Sequence, residues 1–583
     1  MLAYFYYMWE EPMTMTLGNW TNMGDIVMPY GMTLDELSTT VMMPVGIVTT
    51  CVTIYAIEYM SHDPNRNQFY ITLSVFALFM TVLVMGDNYL VVFIGWEFVG
   101  VVSYLTISFW STRVQAMKSA LSAMTLNRMG DTFFVIALGL MTIYFHAVDY
   151  DTLSLAVPYT DTIMLNMLAL LLLLAATAKS AQLGLHAWLL QAMEGPTPVS
   201  ATLHAATMVC AGVYVLVRSY FMLEYAPTML LGACWLGGLT TVVSGTIAMV
   251  TNDMKKVIAL STMSQTSMML LAMGVSAYDL AIYHLYCHAF FKATLFMGAG
   301  SVIHSYIAES QDMRTYGALQ AYLPASYTAI TMASLSTMAI PGLTGYYSKD
   351  IIIESTYGTY TMSGYITYYF AVASATLTSM YSMRLLYLTF LNEPKGNKYS
   401  ISLMHESMPM TMPMVILVIY SIITGYNRDS VIGHYGLTLP SNNTWIDTEY
   451  TLPWYIKLLP LILGLTTSAW LVYTYEFAYK NTNSEMFNFL SNRVYYEQVT
   501  NNLIIRNTLN LGGLLSRYID NGTTKVTGPT GTSRAITYVN ITIVLNTLYT
   551  FFIYTYPIMY ITMFTFMYMY ISYPMTFIIH LYM

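Results

Sequence analysis

An all-α, polytopic membrane protein is the fold class that the sequence predicts, and three observations predict it. Lys, Arg, Asp and Glu make up only 9% of the 583 residues, against about 25% in ordinary globular chains. The apolar class is 56% and the mean hydropathy is +0.53. Charge-free runs recur that reach the ~18 residues needed to cross a hydrocarbon core at about 1.5 Å per helical residue. A soluble globule needs more surface charge than this. Disorder and nucleic-acid binding need dense charge too, and a net charge of −8 is not a basic patch.

The first element is a segment, 1–36, with no clear span. Glu10, Glu11, Asp25, Asp35 and Glu36 are spread through it. It lacks the basic start and apolar stretch of a secretory signal, and it is not Arg-rich like a transit peptide. Leading transmembrane helices are expected over 37–87, in the charge-free runs Leu37–Ile57 and Phe69–Gly86. Further uninterrupted runs are Gly195–Val217, Thr228–Val250, Val257–Tyr278, Thr315–Ser348 and Ser355–Met383. Four more, within Asn88–Thr112, Lys118–His146, Ile163–Met193 and Leu280–Ala308, hold one or a few ionisable residues. Trailing helices are expected over 407–476 and a C-terminal transmembrane anchor over 535–583. The total is about 14 spans. Runs this long are helical, because barrel strands alternate over about ten residues.

One stretch differs. From 480 to 520 the chain is mixed and amphipathic, with Phe487, Leu490 and Val494 at helical spacing between polar residues. That pattern suits a lateral helix lying along a surface rather than crossing it. Gly512–Gly513 is expected to break or kink it.

Two apolar segments are interrupted in a similar way. Ile163–Met193 holds Lys179 and runs into Gly195, Pro196 and Pro198, and Thr315–Glu354 holds Pro341, Gly342 and Gly345 before Lys349. Broken helices in corresponding parts of a chain point to a transport fold with internal repeats.

Charge inside a span costs about 2.5–3.5 kcal/mol on insertion scales, so the few buried charges are informative. Glu97 has nine uncharged residues before it (88–96) and fifteen after it (98–112). Burial disfavours a carboxylate and a nearby lysine favours it, so Glu97 is a candidate proton acceptor and donor. Lys179 closes a long apolar run and can exchange between ammonium and amine when buried. His204 is a candidate relay or a satisfied core histidine. His284, His288 and Lys292 fall at i, i+4 and i+8 and share one helix face. Two histidines at that spacing fit a metal, but no third ligand accompanies them, so a hydrated relay is favoured. Lys349 and Asp350 form either the end of a proton path or an interfacial ion pair. Arg128 and Asp131, at i, i+3, suit a local salt bridge. Of Lys255 and Lys256, one can face inward. Cys51, Cys210, Cys234 and Cys287 have no ligand spacing and read as core residues. No dinucleotide, P-loop or cluster-binding motif is present.

Several stretches carry a resemblance. SHDPNRNQF, FIGWEFVGVVSYL, NRMGD, the run from KSAQLGLHAWLLQAMEGPTPVSATLHAATM to GVYVLV, NDMKKVIALSTMSQ, HLYCHAFFKATLFMGAGSVIH and GLTGYYSKDIIIE stand in order across 34–391. Together they resemble the antiporter-like membrane subunits of respiratory complex I. The resemblance implies two inverted five-helix repeats, 88–222 and 228–391, each with a broken helix that carries a lysine. It implies that Glu97 and Lys179 form a coupled pair tuned by Arg128 and Asp131, and that His204 links this pair to a hydrated axis. Lys256, His284, His288, Lys292, Lys349 and Asp350 would continue that axis. GPTG at 528–531 is similar to the end of that family's lateral-helix region. NADH, FMN, iron–sulfur clusters and ubiquinone would sit on partner subunits, with no cofactor or metal in this chain. Partners would be chains 4 and 2 of the complex, accessory subunits and phospholipids.

Two departures stand out. Members of that family carry two further spans before the one at Leu37–Tyr59, with no clear equivalent here. Phe98 replaces a glycine beside Glu97, adding bulk next to the acid. The abundance of Met (47) and Tyr (52) fits an organelle-encoded chain of the mitochondrial inner membrane. A cation/proton antiporter or membrane hydrogenase-type complex shares the core motifs and is the alternative. The lateral segment favours the respiratory complex.

Overall fold

A computed structural model describes residues 13–23, 26–306, 309–396, 404–427, 451–477, 485–547 and 559–568. The chain divides into two units, Met1–Val494 and Tyr495–Met583.

The first unit is a helix bundle. Its longer helices begin with α1 (Glu36–Tyr59), α2 (Arg66–Met85), α3 (Tyr89–Ile107), α4 (Val114–Phe145), α5 (Thr162–Lys179), α6 (Thr197–Ala205) and α7 (Met208–Arg218). There follow α8 (Pro227–Val250), α9 (Met254–Gly274), α10 (Tyr278–Ser305), α11 (Pro324–Thr337) and α12 (Ile351–Gly358). The last are α13 (Met362–Leu386), α14 (Met408–Ile423) and α15 (Trp454–Phe477). Ten helical stretches among the described residues are long and apolar enough to cross a membrane, with α6 and α7 counted together. Helices α10, of 28 residues, and α13, of 25, exceed the spanning length as well.

The bundle is arranged for lipid. Large apolar side chains such as Ile71, Leu78 and Ile143 are exposed on its outer faces. The buried centre is α9 and α10, and it is polar for a membrane interior. Ser261, Thr262, Ser264, Gln265, Thr266 and Ser267 are all buried on α9. Polar groups kept away from lipid and bonded among helices satisfy what hydrocarbon cannot. The four cysteines are buried and unpaired.

The helical fold has one exception among the described residues. Met13–Met23 and Ile26–Leu34 form an antiparallel hairpin, β1 and β2, within the N-terminal segment. It rests on the turn between α2 and α3, where Asn88 Nδ2 donates to Pro29 O at 2.7 Å and the Asp87 amide to Gly31 O at 3.4 Å. The chain then enters α1 through a capping box. The Asp35 carboxylate accepts from the Ser38 amide at 2.9 Å and Ser38 Oγ accepts from the Asp35 amide at 2.8 Å. Arg218, at the end of α7, pairs with the same carboxylate. Burial alone raises the Asp35 carboxyl, but the Arg218 charge and the bonds from Arg218 and Ser38 outweigh it and hold it below its usual value.

The second unit is helical in the region expected to lie laterally. Residues 496–527 alternate α turns with π turns at Thr500–Ile505 and Ser516–Thr524. Gly512 and Gly513 lie inside the unbroken stretch Arg506–Leu515, contrary to the expected kink. The interruption falls instead at Arg493, Val494 and Tyr495, whose φ angles are +55°, +60° and +53°. Leu503, Leu509 and Leu514 are exposed on this helix. Pro529–Thr547 and 559–568 are also helical. The rest of the expected 535–583 anchor lies outside the described residues.

Candidate functional site

The first cluster forms where α3, α4 and α5 meet. Gly130 makes that approach possible, since a Cβ there would stand 2.4 Å from the Ala178 methyl carbon. Arg128 on α4 pairs with Glu97 on α3, and its Nη1 is 3.9 Å from Asp131. Asp131 accepts from the Trp96 indole at 2.7 Å. Trp96 in turn meets Lys179, whose Nζ donates to the Trp96 carbonyl at 3.1 Å and lies 5.2 Å from the centre of its ring. The hydrogen-bond partner of Glu97 is thus Arg128 rather than Lys179, which meets the backbone of the preceding residue, Trp96. Phe98 points elsewhere. It is exposed and stacks on Phe79 with ring centres 4.4 Å apart, so its bulk stays out of the cluster.

Lys179 is 1% exposed and is the last residue of α5. The chain leaves the helix there, with Ala181 at φ +52° and Gly184 at φ +106°. Carbonyls freed by the break find side-chain donors. Trp188 Nε1 donates to Ala178 O at 2.9 Å, and Gln182 Nε2 and Thr266 Oγ1 reach Ser180 O at 3.3 and 3.4 Å. A broken helix inside a membrane protein is tolerated on those terms.

The second interruption follows α11. Ala339 has φ +62° and Gly342 has φ +87°, and a π-helical turn Tyr346–Asp350 then leads into α12. Gly345 is required, because a Cβ there would fall 1.8 Å from Ser336 O. Lys349 is buried and donates from Nζ to Thr337 O at 3.3 Å and to Thr378 Oγ1 at 2.8 Å. Thr337 is the last residue of α11, so Lys349 reaches back across its own break. Asp350 is buried beside it, and among the described residues the two do not close a direct ion pair.

Helix α10 spans the distance between the two breaks. His284 touches both Ser348, at 2.9 Å from Nδ1, and Gln265, at 3.0 Å from Nε2. One turn on, His288 Nδ1 is 3.1 Å from Ala205 O at the end of α6. One turn further, Lys292 donates to Ser261 Oγ at 2.6 Å. The next residue at this spacing, Phe296, faces His204 with ring centres 5.7 Å apart. The other neighbour of His204 is Trp188, at 6.2 Å. Trp188 is the residue that bonds Ala178, next to Lys179. These groups therefore follow one another through the interior, some in direct contact and others through a neighbouring residue: Ala178 stands between Lys179 and Trp188, Phe296 between His204 and Lys292, and Ser348 between His284 and Lys349.

The structure does not bring Lys256 into this set. Lys256 pairs with Asp253 at 2.5 Å at the start of α9. Its neighbour Lys255 is the buried one, 2% exposed, and donates to Gly195 O at 3.2 Å. Sequence reasoning also gave no place in the row to Trp96, Gln265, Ser261 and Thr378, which are hydrogen-bond partners of its members, or to Trp188, which bonds Ala178 beside Lys179. Apolar and hydroxyl residues leave no charge signal in a sequence.

A helical bundle with two interrupted helices and an interior row of acid, lysine and histidine defines an antiporter-like membrane subunit. Residues 86–378 match the family model described as NADH:quinone oxidoreductase/Mrp antiporter, TM. Residues 20–70 match that of the NADH-ubiquinone oxidoreductase (complex I) chain 5 N-terminus, and 381–571 that of the NADH dehydrogenase subunit 5 C-terminus. The sequence is 73% identical to NADH-ubiquinone oxidoreductase chain 5 of Candida albicans, over 94% of this chain and 99% of that one. It is 72% identical to the chain 5 of Candida parapsilosis, over 95% of this chain and 100% of that one. The chain belongs to the NADH-ubiquinone oxidoreductase chain 5 family. Its fold is also similar to the solved Mrp complex from Dietzia sp. DQ12-45-1b, with a TM-score of 0.73 over 94% of this chain and 59% of that chain, at 23% identity.

Proposed function

We propose that this chain is a proton-translocating subunit in the membrane arm of a respiratory NADH:ubiquinone oxidoreductase in the mitochondrial inner membrane. Protons move along the buried Glu97, Lys179, His204, Lys292, His288, His284 and Lys349 row, aided by water, and the movement is coupled to quinone reduction elsewhere in the complex. Arg128 and Asp131 set the charge around the first pair, and Asp350 continues the row beyond Lys349. The redox chemistry belongs to partner subunits that bind NADH, FMN, iron–sulfur clusters and ubiquinone. Neighbouring antiporter-like chains 4 and 2, accessory subunits and phospholipids are the contacts this role requires.

The observation that carries this reading is the succession of buried titratable groups from Glu97 to Lys349, with water needed to bridge the places, such as His204, where no direct hydrogen bond joins them. Proton transfer proceeds by short hops between hydrogen-bonded groups, so it needs stations in sequence rather than one pocket. Each station here is also expensive to keep in a membrane interior, which argues for use rather than packing. The test is Lys179→Ala in the assembled complex. The expected result is intact assembly with reduced proton pumping and reduced coupled NADH:quinone turnover. Normal pumping in that variant would overturn the proposal.

A further inference from the structure

A cavity of about 340 Å³ lies at one end of the bundle, where several helices stop or start. Its wall holds Tyr59 at the end of α1, His62 and Asp63 just beyond it, Arg113 before α4, and His304 and Glu309 around the end of α10. His62, Arg113 and Glu309 are exposed, so the cavity meets the surface. Arg113 is 3.7 Å from Glu194, and Tyr59 packs on His304 with ring centres 5.2 Å apart.

The inner wall makes a polar contact with the core. Thr197 Oγ1 donates to Tyr59 OH at 2.8 Å. Thr197 opens α6, and the helix continues inward with Ser200 and His204 at i+3 and i+7, on the same face. All three are buried. Among the described residues, Ser200 Oγ and both ring nitrogens of His204 have no hydrogen-bond partner. Buried polar atoms left without partners are costly, and ordered water is the usual remedy where polar groups lie within reach of one another. Trp188 and Phe296 present rings to His204, so its polar approach is along α6. From Thr197 to His204 the axial distance is about 10 Å, which about three hydrogen-bonded waters bridge.

We propose that this cavity is the aqueous mouth of a water-filled branch that runs along the Thr197, Ser200 and His204 face of α6 and joins the row at His204. Tyr59 and Thr197 form its threshold, Ser200 holds a water midway, and His204 receives the proton. The branch rests on the proton-transfer reading above, and it adds an access route and two hydroxyl residues that carry no charge of their own.

The test uses the assembled complex in liposomes, with Thr197→Val and Ser200→Ala together, Thr197→Ser, and Lys179→Ala measured side by side. The double variant is expected to lose proton transfer to the level of Lys179→Ala, while NADH oxidation by an artificial electron acceptor stays at the unmodified rate. Thr197→Ser, which keeps the hydroxyl, is expected to pump normally. A double variant that pumps fully beside an impaired Lys179→Ala overturns the branch and leaves the row standing. Full pumping by Lys179→Ala overturns both. If the double variant fails to assemble, a water-resolving map of the unmodified complex decides. Ordered water bonded to Ser200 Oγ and to a His204 nitrogen supports the branch, and side chains packed dry at both positions overturn it.

Discussion

Lys179 ends α5 with its ammonium bonded to the carbonyl oxygen of Trp96 on α3, at 3.1 Å. That contact depends on an absent side chain one turn away, because a Cβ at Gly100 would lie 3.0 Å from the same nitrogen. Gly100→Val is therefore expected to displace the ammonium from Trp96. Coupled turnover should fall, because a displaced amine no longer holds its proton where transfer needs it. Gly100→Ala should have a smaller effect, since the end of a lysine can shift by a few tenths of an ångström. Proton pumping per NADH oxidised, measured in reconstituted complex, checks the order of the two.

The two adjacent lysines at the start of α9 should behave differently. Lys256 makes a partly exposed pair with Asp253, and such pairs contribute about 0–1 kcal/mol. Lys256→Ala is expected to leave stability and turnover near those of the unmodified complex. Lys255 is buried with its ammonium on Gly195 O. Lys255→Ala removes the donor just ahead of α6, and its expected cost is about 1.5–3 kcal/mol. Thermal unfolding of both variants, alongside turnover, separates them.

Trp188 secures the first break by donating to Ala178 O at 2.9 Å. Trp188→Phe keeps most of the aromatic volume and removes the donor. The freed carbonyl is then buried without that partner, at an expected cost of about 1–3 kcal/mol. A lower unfolding temperature with unchanged assembly is the expected outcome, checked by calorimetry or a melting assay in detergent.

Asp35 gives a pH prediction with a definite sign. Its carboxyl is held below its usual value in the folded chain by Arg218 and Ser38, which outweigh burial. Such a group contributes stability above its unfolded value, about 3.9, and loses it as pH falls through the folded value. Asp35→Asn is expected to destabilise the protein by about 2 kcal/mol near neutral pH, and to flatten the part of the acid-stability profile that lies below about pH 4. Melting temperatures of both forms across pH 3–7 test it, and parallel profiles would refute it.

Much of the fold could be read from the chain because a bilayer imposes simple rules on it. Charge-free length announces a helix, and Gly and Pro beside a lone lysine announce a break. Those signals located Lys179 and Lys349, and the fourfold spacing of His284, His288 and Lys292 placed them on one face of α10. What escaped was set by tertiary contact. Glu97 meets Arg128 across two helices, and no local pattern links residues 31 apart. Lys255 and Lys256 are consecutive, so their different environments depend on how α9 is rotated against α6. The hairpin at Met13–Leu34 has too few apolar alternations to outweigh its polar residues. Gly512 and Gly513 cost about 1 kcal/mol each in a helix, which the surrounding turns absorb, whereas Arg493, Val494 and Tyr495 break the helix with no breaker residue among them.

The two lysines differ in position but share an electrical setting. Lys179 is itself the last residue of a half-helix, and Lys349 reaches the last carbonyl of another. The carbonyl end of a helix carries roughly half a negative elementary charge. Each ammonium therefore has a counter-charge built into the backbone, one that cannot be protonated away. On the proposed proton-transfer reading, a proton can leave or reach the nearby carboxylates without stripping either lysine of all compensation.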